Sequence, residues 1–271
     1  MRFTLLAASL FTAGDVLAQR SPAAAAINGG AGGYVVDGQY RFNQRQFWDF
    51  SKINVGGSTN LPAGQRVPTG LKASDFPVDS YVYTPANVII ARGYLHLKVN
   101  ANTFISGEVT TNFKISYASV RAVAMLSEPA GVCNGMFFYQ SDTQETDIEF
   151  LSNRNSASNT DAASDAGAPA GTRYLWLSNQ AASKRKQKTT RPVPLPANPT
   201  SSLHEYRLDL VPGMTRFFID GKQVWNSTDN VPTVAGVWVF NNWADPDPAW
   251  SAGPPKQDAY FRIRSIDMYY S

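Results

Sequence analysis

One cysteine and two histidines among 271 residues remove several chemistries at once. With Cys133 alone no intramolecular disulfide can form, so the core must hold the fold, which a chain of this length can build. A cysteine nucleophile also needs a base. The histidines, His96 and His204, sit in the strand-like runs Y-L-H-L-K-V and L-H-E-Y-R-L, where a packed or surface histidine is expected. Cys133, in G-V-C-N-G-M-F-F-Y, reads as a buried, inert thiol rather than a reactive one. Charge of one sign is also scarce. Lys plus Arg number 24 against 21 Asp plus Glu, a balance of +3, too mild to point to nucleic acid. No apolar run is long enough to span a bilayer, and no long stretch holds helical periodicity.

What is present is a globular composition, 43% hydrophobic and 17% charged. The N-terminus reads as a secretory signal over 1–18: Arg2, an apolar stretch over 3–12, then Val16-Leu17-Ala18 with small residues at the cut. An Ala/Gly-rich linker follows over 19–33, and the remainder, 34–271, reads as one domain. From Tyr34 onward, short alternating runs separated by turn residues predict many strands, among them 81–84, 88–91, 94–99, 104–111, 145–151, 204–211, 214–219 and 259–270. This is the pattern of an all-β sandwich of two sheets. Asp220-Gly221 between two such runs predicts a type I′ hairpin. Segments 153–172 and 181–202 read as irregular insertions, the second carrying the basic cluster Lys184, Arg185, Lys186, Lys188 and Arg191. That cluster suits a solvated loop, an anionic wall polymer or a protease nick. Asn226-Ser227-Thr228 is an N-glycosylation sequon at a strand end.

The most informative run is Gln144 to Ser152, Q-E-T-D-I-E-F-L-S. On a strand, alternate side chains point to opposite faces. Glu145, Asp147 and Glu149 therefore share one face, while Thr146, Ile148 and Phe150 share the other. Like charges so placed push their pKa values apart, leaving one carboxyl protonated beside an ionised neighbour. A retaining glycosidase needs such a pair, with carboxyls roughly 5–5.5 Å apart. At ~3.3 Å per residue the outer Cα atoms lie roughly 13 Å apart, so the side chains must lean inward. The residues alone leave open an acidic edge strand or a cation site.

E-T-D-I-E-F-L-S resembles the active-site strand of glycoside hydrolase family 16, in the form without a β-bulge found in lichenases, plant xyloglucan endotransglycosylases and fungal wall transglycosylases. Other segments resemble that family in order over residues 45–270: Trp48-Asp49-Phe50, Ser106 to Thr111, Tyr117 to Val120, His204 to Lys222, and Phe240-Asn241-Asn242-Trp243. The resemblance implies a concanavalin A-like jelly roll of two curved antiparallel sheets with a concave cleft. It implies Glu145 as nucleophile, Glu149 as general acid/base and Asp147 as the residue that tunes the nucleophile. Glu108, Asn241 and Trp243 match sugar-contacting positions, and Tyr139, Trp176 and Trp250 are further aromatic candidates. Gln144, Thr110 and Arg121 depart from the lichenase pattern, which bears on substrate choice rather than chemistry.

The expectation is thus a secreted, monomeric retaining endo-β-glucanase acting on 1,3-1,4- or 1,3-linked glucan. No cofactor, metal, nucleic acid or membrane is expected. A wall-glucan transglycosylase and a lectin-like binder are the alternatives.

Overall fold

The computed structural model describes residues 25–26, 32–53 and 67–271. The signal segment 1–18 lies outside them, as does most of the 19–33 linker. The alternating runs form two large sheets, predominantly antiparallel, packed face to face. The first carries, in spatial order, Thr189–Pro194, Tyr174–Asn179, Gln144–Leu151, Cys133–Ser141, Val237–Trp243, Ile105–Thr111, Tyr81–Tyr83 and Phe76–Val78, with Leu71–Ala73 also paired to Ile105–Thr111. Only Ile105–Thr111 and Tyr81–Tyr83 run parallel among these pairs. The second carries Lys222–Ser227, Met214–Ile219, His204–Val211, Ala118–Met125, Ala259–Tyr270, Tyr94–Val99 and Val88–Ala91, with Gln44–Asp49 also paired to Ala259–Tyr270. The result is the expected jelly-roll sandwich.

Alternation decides which residues enter the core. On the acidic strand Gln144–Leu151, Ile148 and Phe150 are 2% and 0% exposed. Together with Met136, Trp238 and Phe240 they belong to the core that includes Val120, Ala122, Tyr206 and Leu208 of the opposite sheet. The other face of the same strand is left for Glu145, Asp147 and Glu149. Asp220 and Gly221 have φ of 48° and 76°, the left-handed pair a type I′ turn requires, and Ile219 pairs Lys222 across it. The Asp220 carboxylate also accepts the Glu205 N–H at 2.9 Å and meets His204 Nδ1 at 2.7 Å.

Both segments read as irregular contain regular structure. Within 153–172 lies the helix Ala157–Asp165, N-capped by the Ser156 hydroxyl, which accepts the Asn159 N–H. Its Ala- and Ser-rich sequence lacks an apolar stripe, so periodicity could not reveal it; Ala162 and Ala163 pack inward toward Tyr174 and Trp176, beside the buried Asn159. Within 181–202 lies the strand Thr189–Pro194. It ends the sheet, and an edge is where a strand tolerates Pro192 and Pro194.

Before the sandwich, Ala25–Ala26, Tyr34–Val36 and Tyr40–Phe42 form a small sheet, so part of the expected linker is a strand. Val36 and Phe42 pack on Val211 and Tyr269. The turn residue Asp37 bonds Arg207 Nη2 at 2.6 Å and Arg216 Nη1 at 2.9 Å. Arg207 is 1% exposed and forms a second, two-pronged pair with Asp209, both contacts at 2.7 Å. Arg121, buried in the same sheet, stacks on Tyr269 on the face away from the acidic strand. Because a buried guanidinium depends on its partner, Asp209→Ala is expected to cost ~3–5 kcal/mol of stability. Asp37→Ala should cost less, since Asp37 is partly exposed and Asp209 still holds Arg207. Chemical denaturation midpoints of the two variants check this ordering.

Candidate active site

Strand register sets out the floor of a cleft of about 580 Å³ on the first sheet. One cross-strand row runs Trp176, Glu149, Gly135, Asn241, Glu108. The next runs Ser178, Asp147, Phe137, Val239, Thr110. The third holds Glu145, Tyr139 and Val237. Glu145, Asp147, Glu149, Glu108, Asn241, Trp243 and Tyr139 all line this cleft; Trp176 does not. The structure thus gathers seven of the nine residues singled out by sequence; Trp250, like Trp176, is not among the lining residues. Neither histidine is among the lining residues.

The carboxylates are held in a low-polarity floor. Burial pushes Glu145 up to about 7, and repulsion from Glu149 adds to this, while a hydrogen bond with Asp147 opposes it. Asp147, 1% exposed, is pushed well above the usual carboxylate range by burial and then by its two acidic neighbours. Gln180 Nε2 donates to Asp147 Oδ2 at 3.0 Å and works the other way. Burial also raises Glu149, against hydrogen bonds from the Cys133 thiol and Trp250 Nε1 and the charge of Lys188. Both donors reach Glu149 Oε1 at 3.3 Å. Three neighbouring carboxyls, each raised by burial, are an arrangement from which one can donate a proton while another presents an anion beside it.

On the far side of the cleft, Glu108 is 5% exposed and raised by burial. Its carboxylate accepts the Ser74 hydroxyl at 2.6 Å and Asn241 Nδ2 at 3.2 Å, while the same Asn241 amide reaches the Tyr83 hydroxyl at 2.8 Å. Asn241 Oδ1 is buried without a protein donor and lies over Gly135, where any Cβ would collide with it. Glycine at 135 is therefore needed for Asn241 to keep its place between Glu108 and Glu149. Trp243 is half-buried and stacks on Tyr81, with ring centroids at 5.1 Å and planes at 25°. The Tyr139 hydroxyl donates to Asp142 at 3.0 Å.

Trp176 is in register with Glu149 but lies under the helix Ala157–Asp165. It is 8% exposed, its Nε1–H donates to Asn159 Oδ1 at 3.2 Å, and its ring packs against Trp250 at 5.5 Å. The helix that sequence periodicity could not reveal is what covers it. Sequence reading also passed over Ser74, Tyr81, Tyr83 and Gln180. Gln180 had a signal: in L-W-L-S-N-Q, alternation puts Trp176, Ser178 and Gln180 on one face, beside the acids. Ser74, Tyr81 and Tyr83 come from distant short strands and carried none.

A β-sandwich with a row of interacting carboxylates along a concave cleft defines a glycosidase-type protein. The signature of glycosyl hydrolases family 16 matches residues 78–249, and the chain belongs to that family. No curated protein sequence matches it. Among solved structures, a prokaryotic β-1,3-1,4-glucanase (lichenase) from a mouse hindgut metagenome superposes with a TM-score of 0.58 at 13% identity, over 84% of this chain and 99% of that one. The Bacillus licheniformis β-glucanase gives 0.58 at 16% identity, over 76% and 94%. The catalytic domain of an endo-1,3-β-glucanase (laminarinase) from Thermotoga petrophila gives 0.60 at 13%, over 83% and 96%. At these identities the likeness is one of fold.

The raised Glu145 has a thermodynamic signature. A carboxyl whose pKa is higher in the folded state stabilises the fold below its unfolded value, here 4.5, and loses that contribution as pH rises through about 7. Each pKa unit of such displacement is worth about 1.4 kcal/mol, so Glu145→Gln should raise stability at pH 8 by roughly 3 kcal/mol. The gain should vanish toward pH 4. Thermal melts of parent and variant across that range test it; an unchanged or lowered midpoint at pH 8 would contradict the burial argument.

Proposed function

We propose that the protein is a retaining endo-glycosidase of β-glucans, 1,3-1,4 or 1,3 linked, and that it works outside the cell. The observation carrying this reading is the row Glu145–Asp147–Glu149 on the cleft floor, Asp147 buried and the two glutamates half-buried, with burial raising all three carboxyls. The Glu145 carboxylate attacks the anomeric carbon as the bond to the leaving oxygen breaks, and Glu149 gives its proton to that oxygen. Water then enters, Glu149 takes its proton, and the glycosyl ester to Glu145 breaks. Asp147, kept protonated by its surroundings, hydrogen-bonds Glu145 and holds it in place. Trp243 and Tyr81 offer an aromatic surface for the apolar face of a sugar, while Glu108 and Asn241 offer hydroxyl partners. The Arg2-led apolar segment 1–18 supports export.

A transglycosylase shares the first half of this cycle, with a sugar hydroxyl replacing water in the second. A lectin is less consistent with the site, because a binder gains nothing from three desolvated acids.

Glu145→Gln and Glu149→Gln should each lower turnover by at least ~10²-fold while leaving the fold intact. Asp147→Asn should be milder. Near-parental turnover in either glutamine variant on the best glucan substrate would reverse the assignment. Trp243→Ala should raise KM with little loss of melting temperature; a loss on the scale of ~3–5 kcal/mol would instead mark it as core. Mass spectrometry of a short defined β-glucan oligosaccharide separates the reaction types. Products shorter than the substrate mean hydrolysis, an early ladder of longer ones means transfer, and binding without cleavage on every glucan means a lectin.

A further inference from the structure

We propose that Lys188, acting through the Trp250 indole, is a positioning residue that sets the protonation of the Glu149 carboxyl, tying the basic loop to the general acid. The inference rests on Glu149 being that acid. Lys188 follows the exposed cluster Lys184, Arg185 and Lys186 and precedes the edge strand Thr189–Pro194. Its ammonium lies 4.9 Å from the centroid of the Trp250 ring. The Nε1–H of that ring donates to Glu149 Oε1 at 3.3 Å. A cation over the face of an indole draws on its π electrons and makes the N–H a stronger donor. The stronger donor favours the ionised carboxylate.

The site is built to hold this arrangement. The loop carrying Trp250 is tied to the helix Ala157–Asp165, whose Ala157 and Ser158 N–H groups donate to Pro248 O and Ala249 O at 3.0 and 3.2 Å. The Trp250 ring rests on Trp176 beneath that helix. The Cys133 thiol donates to the same Oε1 at 3.3 Å. Among the described residues no protein donor meets Oε2, so that oxygen is the one left to carry the transferable proton. The titratable groups around Glu149 are Glu145 and Asp147 on its own strand, Cys133 on the neighbouring strand, and Lys188 from the basic loop; Asp245, from the loop before Trp250, acts on Cys133. Burial favours the proton on Glu149. Lys188 is the one cation among these groups, and it restrains that tendency, so the acid can be reloaded and unloaded in each cycle.

The test is a carboxyl titration of Glu149, followed by carbon-13 chemical shift in full-length protein with labelled glutamate and assigned by comparison with Glu149→Gln. Lys188→Met should raise the Glu149 midpoint by about half a pH unit, a modest effect because the ammonium is solvent-exposed. Lys188→Arg should restore the parental value. Trp250→Phe, which keeps the ring and removes the N–H, should raise the midpoint as Lys188→Met does. In turnover on glucan, the alkaline limb of the kcat profile should move up by the same amount in both variants. A midpoint unmoved in Lys188→Met overturns the proposal, and so does a Lys188→Met shift that persists undiminished in the Trp250→Phe background, which would mean that the ammonium acts on Glu149 directly and not through the indole. Because the titration needs no turnover, inactivity of the parent on all glucans would sink the functional reading without touching this measurement.

Discussion

Three carboxylates at alternate positions on one strand, each pulled out of water, set the terms for the rest of the molecule. Their desolvation disfavours the charged form of each, and their proximity compounds it. Such a row is stable only if the opposite face of the strand is worth more than the acidic face costs. Ile148 and Phe150, packed into a core that joins both sheets, provide that gain. The few donors that oppose this loss of charge are Gln180, just past a strand end, to Asp147, and Cys133 from the neighbouring strand and Trp250 from a loop to Glu149.

The cleft is asymmetric because of what flanks the sheet. On one side the short strands Leu71–Ala73, Phe76–Val78 and Tyr81–Tyr83 bring Ser74, Tyr81 and Tyr83 to Glu108, Asn241 and Trp243. This side is polar and aromatic, suited to a sugar ring. On the other side the helix Ala157–Asp165 covers Trp176 and braces the loop that carries Trp250, and the basic loop places Lys188 over that ring. Glu149 faces this second side and Glu145 sits at the far end of the strand, so the two glutamates occupy different surroundings despite identical chemistry.

The second sheet has a different task. Its outward face carries Arg121, Arg207 and Asp209, all nearly inaccessible, beneath a small N-terminal sheet whose Asp37 closes the ion-pair network. No sequence alternation announces that burial, because charged residues at outward positions ordinarily mean solvent. Of the three strands in that small sheet, only Ala25–Ala26 comes from the segment 19–33 whose small residues suggested a linker.

Binary alternation was enough to determine that the chain is a β-sandwich, that the three acids share a face, and that Ile148 and Phe150 oppose them, because strand geometry alone enforces a period of two. The Asp220-Gly221 turn was legible for the same local reason, since few residue pairs tolerate two left-handed φ angles. Tertiary structure decided everything that depends on distant segments meeting. It placed Trp176 under a helix rather than in the cleft, brought Tyr81 onto Trp243, turned a proline-bearing loop into an edge strand, and set Cys133 and Trp250 on one oxygen of Glu149. Pairing register fixes these neighbours, and register is settled by the whole sheet at once, so no stretch of sequence read by itself contains it.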